Sequence, residues 1–173
     1  MISLVMDTSN SYLAVGLFKD NMCLEAFQEK GSRRQSEKAI PSLKEVLDRH
    51  HIALKDVNEM IITAGPGSYT GVRVAMTIAK TLAAVSDVRI KSVSSLAAYA
   101  GMNQALSVID ARGHKVFVGV YENGLPLIKE QVMTLEDFTQ LRAEYEDFEL
   151  VGEVGCLGLD EKECDLCANI YAL

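Results

Sequence analysis

The chain opens on an apolar run, Leu4-Val5-Met6, that stops at Asp7-Thr8-Ser9; this is the pattern of a buried strand running into a turn. Apolar and small residues return from Tyr12 to Phe18 and give way to Asp20-Asn21, a hairpin signal, before a third extended segment over Cys23–Glu29. These three segments predict a meander. From Ser36 to His50 the period changes. Ala39, Ile40, Leu43, Val46 and Leu47 fall on one stripe at helical spacing, with Pro41 placed to bend the early turns. A short buried strand at Met60–Ala64, a helix over Gly71–Val85, a strand at Arg89–Val93 and a short helix at Ser94–Ala100 complete an α/β first half.

The plan then repeats. Ser107-Val108-Ile109-Asp110 ends on aspartate as the first strand does, and the offset that carries Asp7 onto Asp110 carries Gly16 onto Gly119 and Phe18 onto Tyr121 without a gap. Asn123-Gly124 supplies the second hairpin turn, Leu127–Met133 the third strand and Leu135–Tyr145 the helix that follows. A strand over Phe148–Val151, a glycine-rich stretch over Gly152–Asp160 and a last helix over Cys164–Leu173 close the chain. No second-half segment corresponds to the loop and helix around Gly71. We therefore read a duplicated α/β chain with one intact lobe, residues 1–101, and one reduced lobe, residues 102–173, divided near Gly101-Met102-Asn103.

Between the strand at Met60–Ala64 and its helix stands Gly65-Pro66-Gly67-Ser68-Tyr69-Thr70-Gly71-Val72-Arg73. The glycines permit unusual backbone angles and close approach, Pro66 stiffens the turn, and Ser68 and Thr70 can cap the coming helix. Arg73 falls in the first helical turn, where a cation opposes the helix dipole at a cost of about a few tenths of a kcal/mol, so an anionic partner is expected for it. An ordinary glycine-rich turn is the plain alternative. A Walker loop would end in Gly-Lys-Ser/Thr, and the glycine spacing does not fit the dinucleotide fingerprint either. Gly67-Ser68-Tyr69-Thr70-Gly71 also lacks the Gly-x-Ser-x-Gly spacing of a nucleophile elbow, so nothing here supports a peptidase.

Composition narrows the field. With 173 residues, 49% of them hydrophobic, the chain can bury a substantial core. A net charge of −7 opposes direct grip on a polyanion, so any service to a nucleic acid is expected to run through another protein. No apolar stretch approaches the roughly 18–20 residues of a membrane span, and the first residues lack the basic start and cleavage site of a signal peptide; no membrane association is expected, and cytoplasm is the expected location. Cys23, Cys156, Cys164 and Cys167 give no secreted disulfide framework. Cys164-Asp165-Leu166-Cys167 leaves zinc or redox work open against inert thiols on a terminal helix. His50, His51 and His114 form no metal-ligand spacing.

Duplicated meanders that each open on a strand ending in aspartate resemble the actin–hexokinase–Hsp70 superfold, the actin-like, RNase H-like (ASKHA) ATPase architecture. There ATP lies between the lobes, and the aspartates hold Mg²⁺ through water. The resemblance implies these roles for Asp7 and Asp110, with Thr8 and Arg112 beside them, as a remnant or shared nucleotide site. The alternative is a carboxylate that caps its own turn. The loop sharpens the resemblance to the bacterial TsaB (YeaZ) family, once labelled glycoprotease-like. Gly65–Arg73 matches that family's signature, and Asp110-Ala111-Arg112 matches a second. Met6-Asp7-Thr8-Ser9 and Ser36-Glu37 with Ile40-Pro41 fit as well. The match runs to about Gly155 and then thins; a compact variant or a lost C-terminal segment would each explain a chain shorter than its family.

The resemblance implies a part in making threonylcarbamoyladenosine beside the anticodon of tRNA. The transfer belongs to the paralogue TsaD, and the TsaB subunit docks it as a noncatalytic scaffold, with the ATPase TsaE joining the pair, a homodimer in isolation, and tRNA reached indirectly. The paralogue's two metal-binding histidines correspond here to Gln35 and Ala39, a poor ligand and a non-ligand. Hence no metal, no chemistry and no cofactor of its own are expected. ATP or Mg²⁺ would sit at a site shared with the partner, where Arg73 and Arg112 are candidate anion contacts unless they pair with Asp7 or Asp110. Docking is expected through Ala39, Ile40, Leu43 and Leu47 of the first helix and Val74, Ala75, Ile78 and Leu82 of the second, with Ala75 on the exposed face. The second helix is apolar and small on more than one side, which a single core could also absorb. An independent ATP-dependent kinase or ATPase is the rival reading.

Overall fold

β1 (Ile2–Asp7), β2 (Tyr12–Lys19) and β3 (Met22–Lys30) form the expected antiparallel meander. The structure is a computed structural model and describes residues 1–31 and 35–173. Asp20 and Asn21 take left-handed angles, φ 50° and 67°, which match the twist of a two-residue hairpin. β1 pairs in parallel with β4 (Glu59–Thr63), and β4 with β5 (Arg89–Val93), giving the order β3-β2-β1-β4-β5. These central strands are apolar on both sides because both sheet faces are covered. Leu4, Met6, Val15, Leu17 and Ile62 pack against α1 (Gln35–Arg49) and α2 (Tyr69–Val85). Val5, Ala14, Phe18 and Ile61 pack with α3 (Ser95–Ala100) and α5 (Leu166–Ala172).

The second sheet contains β6 (Ala105–Arg112), β7 (Lys115–Glu122), β8 (Leu125–Thr134) and β9 (Glu149–Gly152) in the order β8-β7-β6-β9, with β6 and β9 parallel. One face, formed by Leu106, Val108, Val116, Val118 and Val120, is covered by Phe138 of α4 (Leu135–Glu144). Ala105, Ile109 and Tyr121 of the other face share a core with α3, which thereby lies between the sheets. An antiparallel meander extended by a parallel strand, used twice, is the duplicated actin-like, RNase H-like arrangement. The copies differ in extent. After β4 come the glycine-rich loop, α2 and β5; after β9 comes a single 3₁₀ turn, Val154–Leu157.

Three expectations need adjustment. The ungapped offset aligns Gly16 with Gly119, but Gly16 pairs with Val5 and Gly119 with Ser107, because the second lobe's first turn is one residue shorter and is bulged between Asp110 and Arg112. The glycines still serve one purpose. A Cβ on Gly16 would lie 2.9 Å from the Phe18 ring and one on Gly119 2.5 Å from the Tyr121 ring, so each makes room for the aromatic two residues on. Second, the last helix, expected with the second lobe, packs on the first sheet. Gln28 donates to the Cys164 carbonyl at 2.7 Å and accepts from the Leu166 N–H at 3.1 Å, and Tyr171 stacks on Phe18 with centroids 4.1 Å apart. This helix starts only at Leu166, where the Asp165 side chain caps the Ala168 N–H. Third, α2 begins at Tyr69, ahead of the periodic stripe, because Ser68 is its cap. α1 continues through Pro41.

Candidate functional site

Asp7 ends β1 at the point where the chain must turn back into β2. Its Oδ1 accepts hydrogen bonds from the Ser9 N–H at 2.7 Å, from the Ser9 hydroxyl at 2.6 Å and from the Thr63 hydroxyl at the end of β4. The Ser9 hydroxyl in turn lies 2.8 Å from that of Ser95, at the start of α3. Asp7 is only 1% exposed, and burial raises its carboxyl above the ordinary carboxylate range, an effect the three hydrogen bonds partly oppose. The aspartate thus fastens its own turn and joins three elements. Thr8 is buried beside it and donates to the Gly71 carbonyl at 2.6 Å.

The glycine-rich loop is built against this turn. The Ser68 N–H donates to the Ser9 carbonyl at 2.7 Å, and the Ser68 side chain accepts from the Gly71 N–H at 3.3 Å as the cap of α2. A Cβ on Gly67 would stand 2.4 Å from the Ser9 carbonyl oxygen, and one on Gly71 1.9 Å from that of Thr8. Two glycines are therefore fixed by backbone meeting backbone. Beyond them Tyr69 projects into solvent, and Arg73 lies over its ring, 5.2 Å from the centroid, donating to the Tyr69 hydroxyl at 2.7 Å.

Across from the loop, Asp110 occupies the place in the second lobe that Asp7 holds in the first, and its Oδ1 accepts from the Arg112 N–H at 2.7 Å, but the side chain is exposed. Glu153, just after β9, bridges the lobes: one carboxylate oxygen accepts from the Ser11 hydroxyl at 2.7 Å and the other from the Asp110 N–H at 3.1 Å. Between the lobes lies a cleft of about 620 Å³, bordered by Ser9, Asn10, Ser68, Thr70, Asp110, Arg112 and Glu153. Asp7 and Thr8 do not line it. They are buried and committed to the turn. Among the described residues neither Arg73 nor Arg112 forms an ion pair, with Asp7, Asp110 or any other carboxylate.

The expected docking surface also changes. Ala39, Leu43, Leu47, Ala75 and Ile78 are buried between the two helices and the first sheet, so they belong to this chain's own core. Ala75 in particular has no exposed face. Val74 and Leu82 are half-buried against the same core, while Ile40 stands 60% exposed. What remains outside is a groove of about 420 Å³ between α1 and α2, bordered by Ile40, Tyr69, Thr70, Arg73, Val74 and Ile78. Tyr69 and Thr70 line both this groove and the interlobe cleft, so the loop is the wall between them.

Gln35 donates to the Asn10 carbonyl at 3.0 Å, and Ala39 is buried. Among the described residues no three His, Cys, Asp or Glu side chains gather as a metal site. Burial pushes the Cys164 thiol up to about 11 and that of Cys167 upward too, which disfavours the reactive thiolate at either. Glu153, Ser95 and Thr63 were missed from sequence. Thr63 had a weak signal, a polar residue ending an apolar strand at the same level as Asp7; Glu153 had none.

Comparison with known proteins matches this geometry to one family. The family model of TsaD, tRNA N6-adenosine threonylcarbamoyltransferase, matches residues 28–151. The tRNA threonylcarbamoyladenosine biosynthesis protein TsaB of Bacillus subtilis is 32% identical over 153 residues, covering 83% of this chain and 67% of its own length. The protein of the same name from Escherichia coli is 31% identical over 132 residues, 70% of this chain but only 57% of that relative. Among solved structures, YeaZ from Pseudomonas aeruginosa superposes with a TM-score of 0.70 at 27% identity, covering 76% of this chain and 67% of that one. No helix among the described residues is long and apolar enough to cross a membrane. The signature loop, the duplicated aspartate-closed turns and these similarities place the chain in the TsaB (YeaZ) family.

Proposed function

We propose that this chain serves the synthesis of threonylcarbamoyladenosine in tRNA as a noncatalytic subunit that docks a TsaD paralogue. The observation that carries the reading is the groove between α1 and α2, an apolar hollow left at the surface after both helices have filled their own core. Ile40 and Tyr69 at its border are large groups that stay 60% and 74% exposed, although Arg73 lies over the Tyr69 ring. Two things support the noncatalytic part: the Asp7 carboxylate is taken up by Ser9 and Thr63, and Gln35 and Ala39 stand where the resemblance puts the paralogue's two metal ligands. A TsaE ATPase joining the pair, a homodimer in the absence of the paralogue, indirect access to tRNA, and ATP or Mg²⁺ at a shared site facing Asp110 and Arg112 complete the proposal. Because Tyr69 and Thr70 wall both groove and cleft, a partner seated in the first touches the lining of the second.

The test is the light-scattering mass of the chain alone and mixed with TsaD from the same organism. We expect a heterodimer, and we expect Ile40→Asp and Thr77→Arg each to abolish it while the circular dichroism and melting of the chain stay unchanged, since both side chains are exposed. Folded variants that still pair would overturn the docking site. ATP turnover by the isolated chain would support the kinase reading instead.

A further inference from the structure

Resting on that docking reading, we infer that Arg73, held by Tyr69, is the recognition element for a carboxylate on the protein segment that fills the groove. Arg73 is the fifth residue of α2, one turn in from the cap at Ser68, and no acidic side chain among the described residues pairs with it. Its geometry is nevertheless constrained. The guanidinium stacks over the Tyr69 ring and gives one N–H to the Tyr69 hydroxyl, so the side chain's rotamer freedom is already spent before any partner arrives. A guanidinium has five N–H donors in a planar fork that a carboxylate or a phosphate can accept with two oxygens.

The groove decides between kinds of anion. Ile40, Val74 and Ile78 form an apolar floor next to Arg73, suited to an aliphatic or aromatic side chain and unsuited to a run of phosphates. The chain's net charge of −7 also repels a polyanion. The occupant is therefore a protein segment that presents an apolar side chain to the groove and an Asp or Glu within reach of Arg73. A carboxylate there would answer both the guanidinium and the positive end of α2.

Binding of the full chain to its TsaD paralogue, followed by titration calorimetry at several NaCl concentrations, tests this. Arg73→Gln should weaken the complex about tenfold or more and flatten the dependence of Kd on salt, with Arg73→Lys intermediate because it keeps charge and loses the fork. If Arg73→Gln binds as the parent does with the same salt dependence, while Ile40→Asp still abolishes pairing, the carboxylate inference is wrong and the docking site stands. If Ile40→Asp also leaves Kd unchanged, the docking site itself is wrong and this inference falls with it. Loss of tRNA retention by the assembled complex, with an unchanged protein–protein Kd, would identify the anion as phosphate and overturn the proposal.

Discussion

Asp7 and Asp110 close the first strands of the two lobes, and each accepts a hydrogen bond at 2.7 Å from the backbone N–H two residues on. There the likeness ends. In the first lobe the turn is covered by the glycine-rich loop, β4 contributes Thr63, and the carboxylate is sealed from water. In the second lobe the equivalent place after β9 holds one 3₁₀ turn and Glu153, and Asp110 stays in solvent. One loop–helix unit, present in one copy and reduced in the other, converts a turn-capping aspartate into a buried polar junction. A shared local motif therefore does not imply a shared electrostatic state.

The sharpest way to break the comparison is to push the loop off its turn. Gly71→Ala would place a methyl 1.9 Å from the Thr8 carbonyl oxygen, a clash with backbone that no side-chain rotation relieves. We expect a loss of about 3 kcal/mol or more in urea-melt stability. The contrasting change in the second lobe is Gly113→Ala, in the turn that follows Asp110. Gly113 has φ 60° but open space around its Cβ position, and its neighbours Arg112 and His114 already adopt left-handed angles. That variant should lose only about 1 kcal/mol. Equal losses would show that the loop does not bear on the first turn as described.

Next in size is the pH response of Asp7. Burial raises the Asp7 carboxyl above the ordinary value of 3.8 that it recovers on unfolding, so between those two values the folded state binds more protons than the unfolded one. The contribution of Asp7 to stability is then fully present below the unfolded value and is lost as pH rises through the folded one. Asp7→Asn keeps an oxygen acceptor and removes the titration. Its stability relative to the parent should climb from pH 4 upward and then level off, as read from melts across pH. Asp110→Asn, at an exposed position, should change stability by no more than about 0.5 kcal/mol at neutral pH. A flat difference for Asp7→Asn would mean that its carboxylate is not sealed.

The succession of strands and helices along the chain and the duplicated meander were legible because alternation, helical spacing and turn residues are local signals. The aspartate ends of β1 and β6 were legible too, and the sequence allowed for a carboxylate capping its own turn. What it could not separate was sealed from exposed, since that depends on Thr63, Ser95 and the loop arriving from distant segments. The helix faces failed for the same reason. The stripe Ala39, Leu43, Leu47 and the run Ala75, Ile78 read as surface or core with equal ease until the sheet beneath them is known. Arg73 was flagged by its misfit with the helix dipole, a local effect, whereas the crossing of α5 to the first sheet had no marker beyond an unremarkable Gln28.

That crossing gives a third prediction, and it tests how far the lobes depend on each other. Gln28 satisfies both the Cys164 carbonyl and the Leu166 N–H with one side chain, at the point where the chain returns from the second lobe to the first. Gln28→Ala leaves two part-buried backbone groups without that partner, and we expect a loss of about 1–3 kcal/mol. Amide hydrogen exchange should show the loss concentrated in α5 and β3. Exchange that rises evenly through both sheets would mean that α5 does not clasp the first lobe as a separable unit.

The smallest effect concerns Glu153, the residue that stands where the reduced lobe's loop would begin. It accepts from Ser11 of the first lobe and from the Asp110 N–H of the second, so a single carboxylate spans the cleft. Ser11→Ala removes only the first of these bonds and leaves the second turn intact. A hydrogen bond to a charged group contributes about 1.5–3 kcal/mol when buried, and solvent at the cleft mouth screens this one, so global stability should fall by about 1 kcal/mol. Its local consequence is more telling. Without Ser11 the lobes lose one direct tether at the cleft mouth, and exchange at Asp110 and Arg112 should speed up while the buried Ser9 amide stays protected by Asp7. If both turns loosen together, the two aspartate turns are mechanically coupled through Glu153, and the contrast between a sealed and an open turn describes their charge but not their independence.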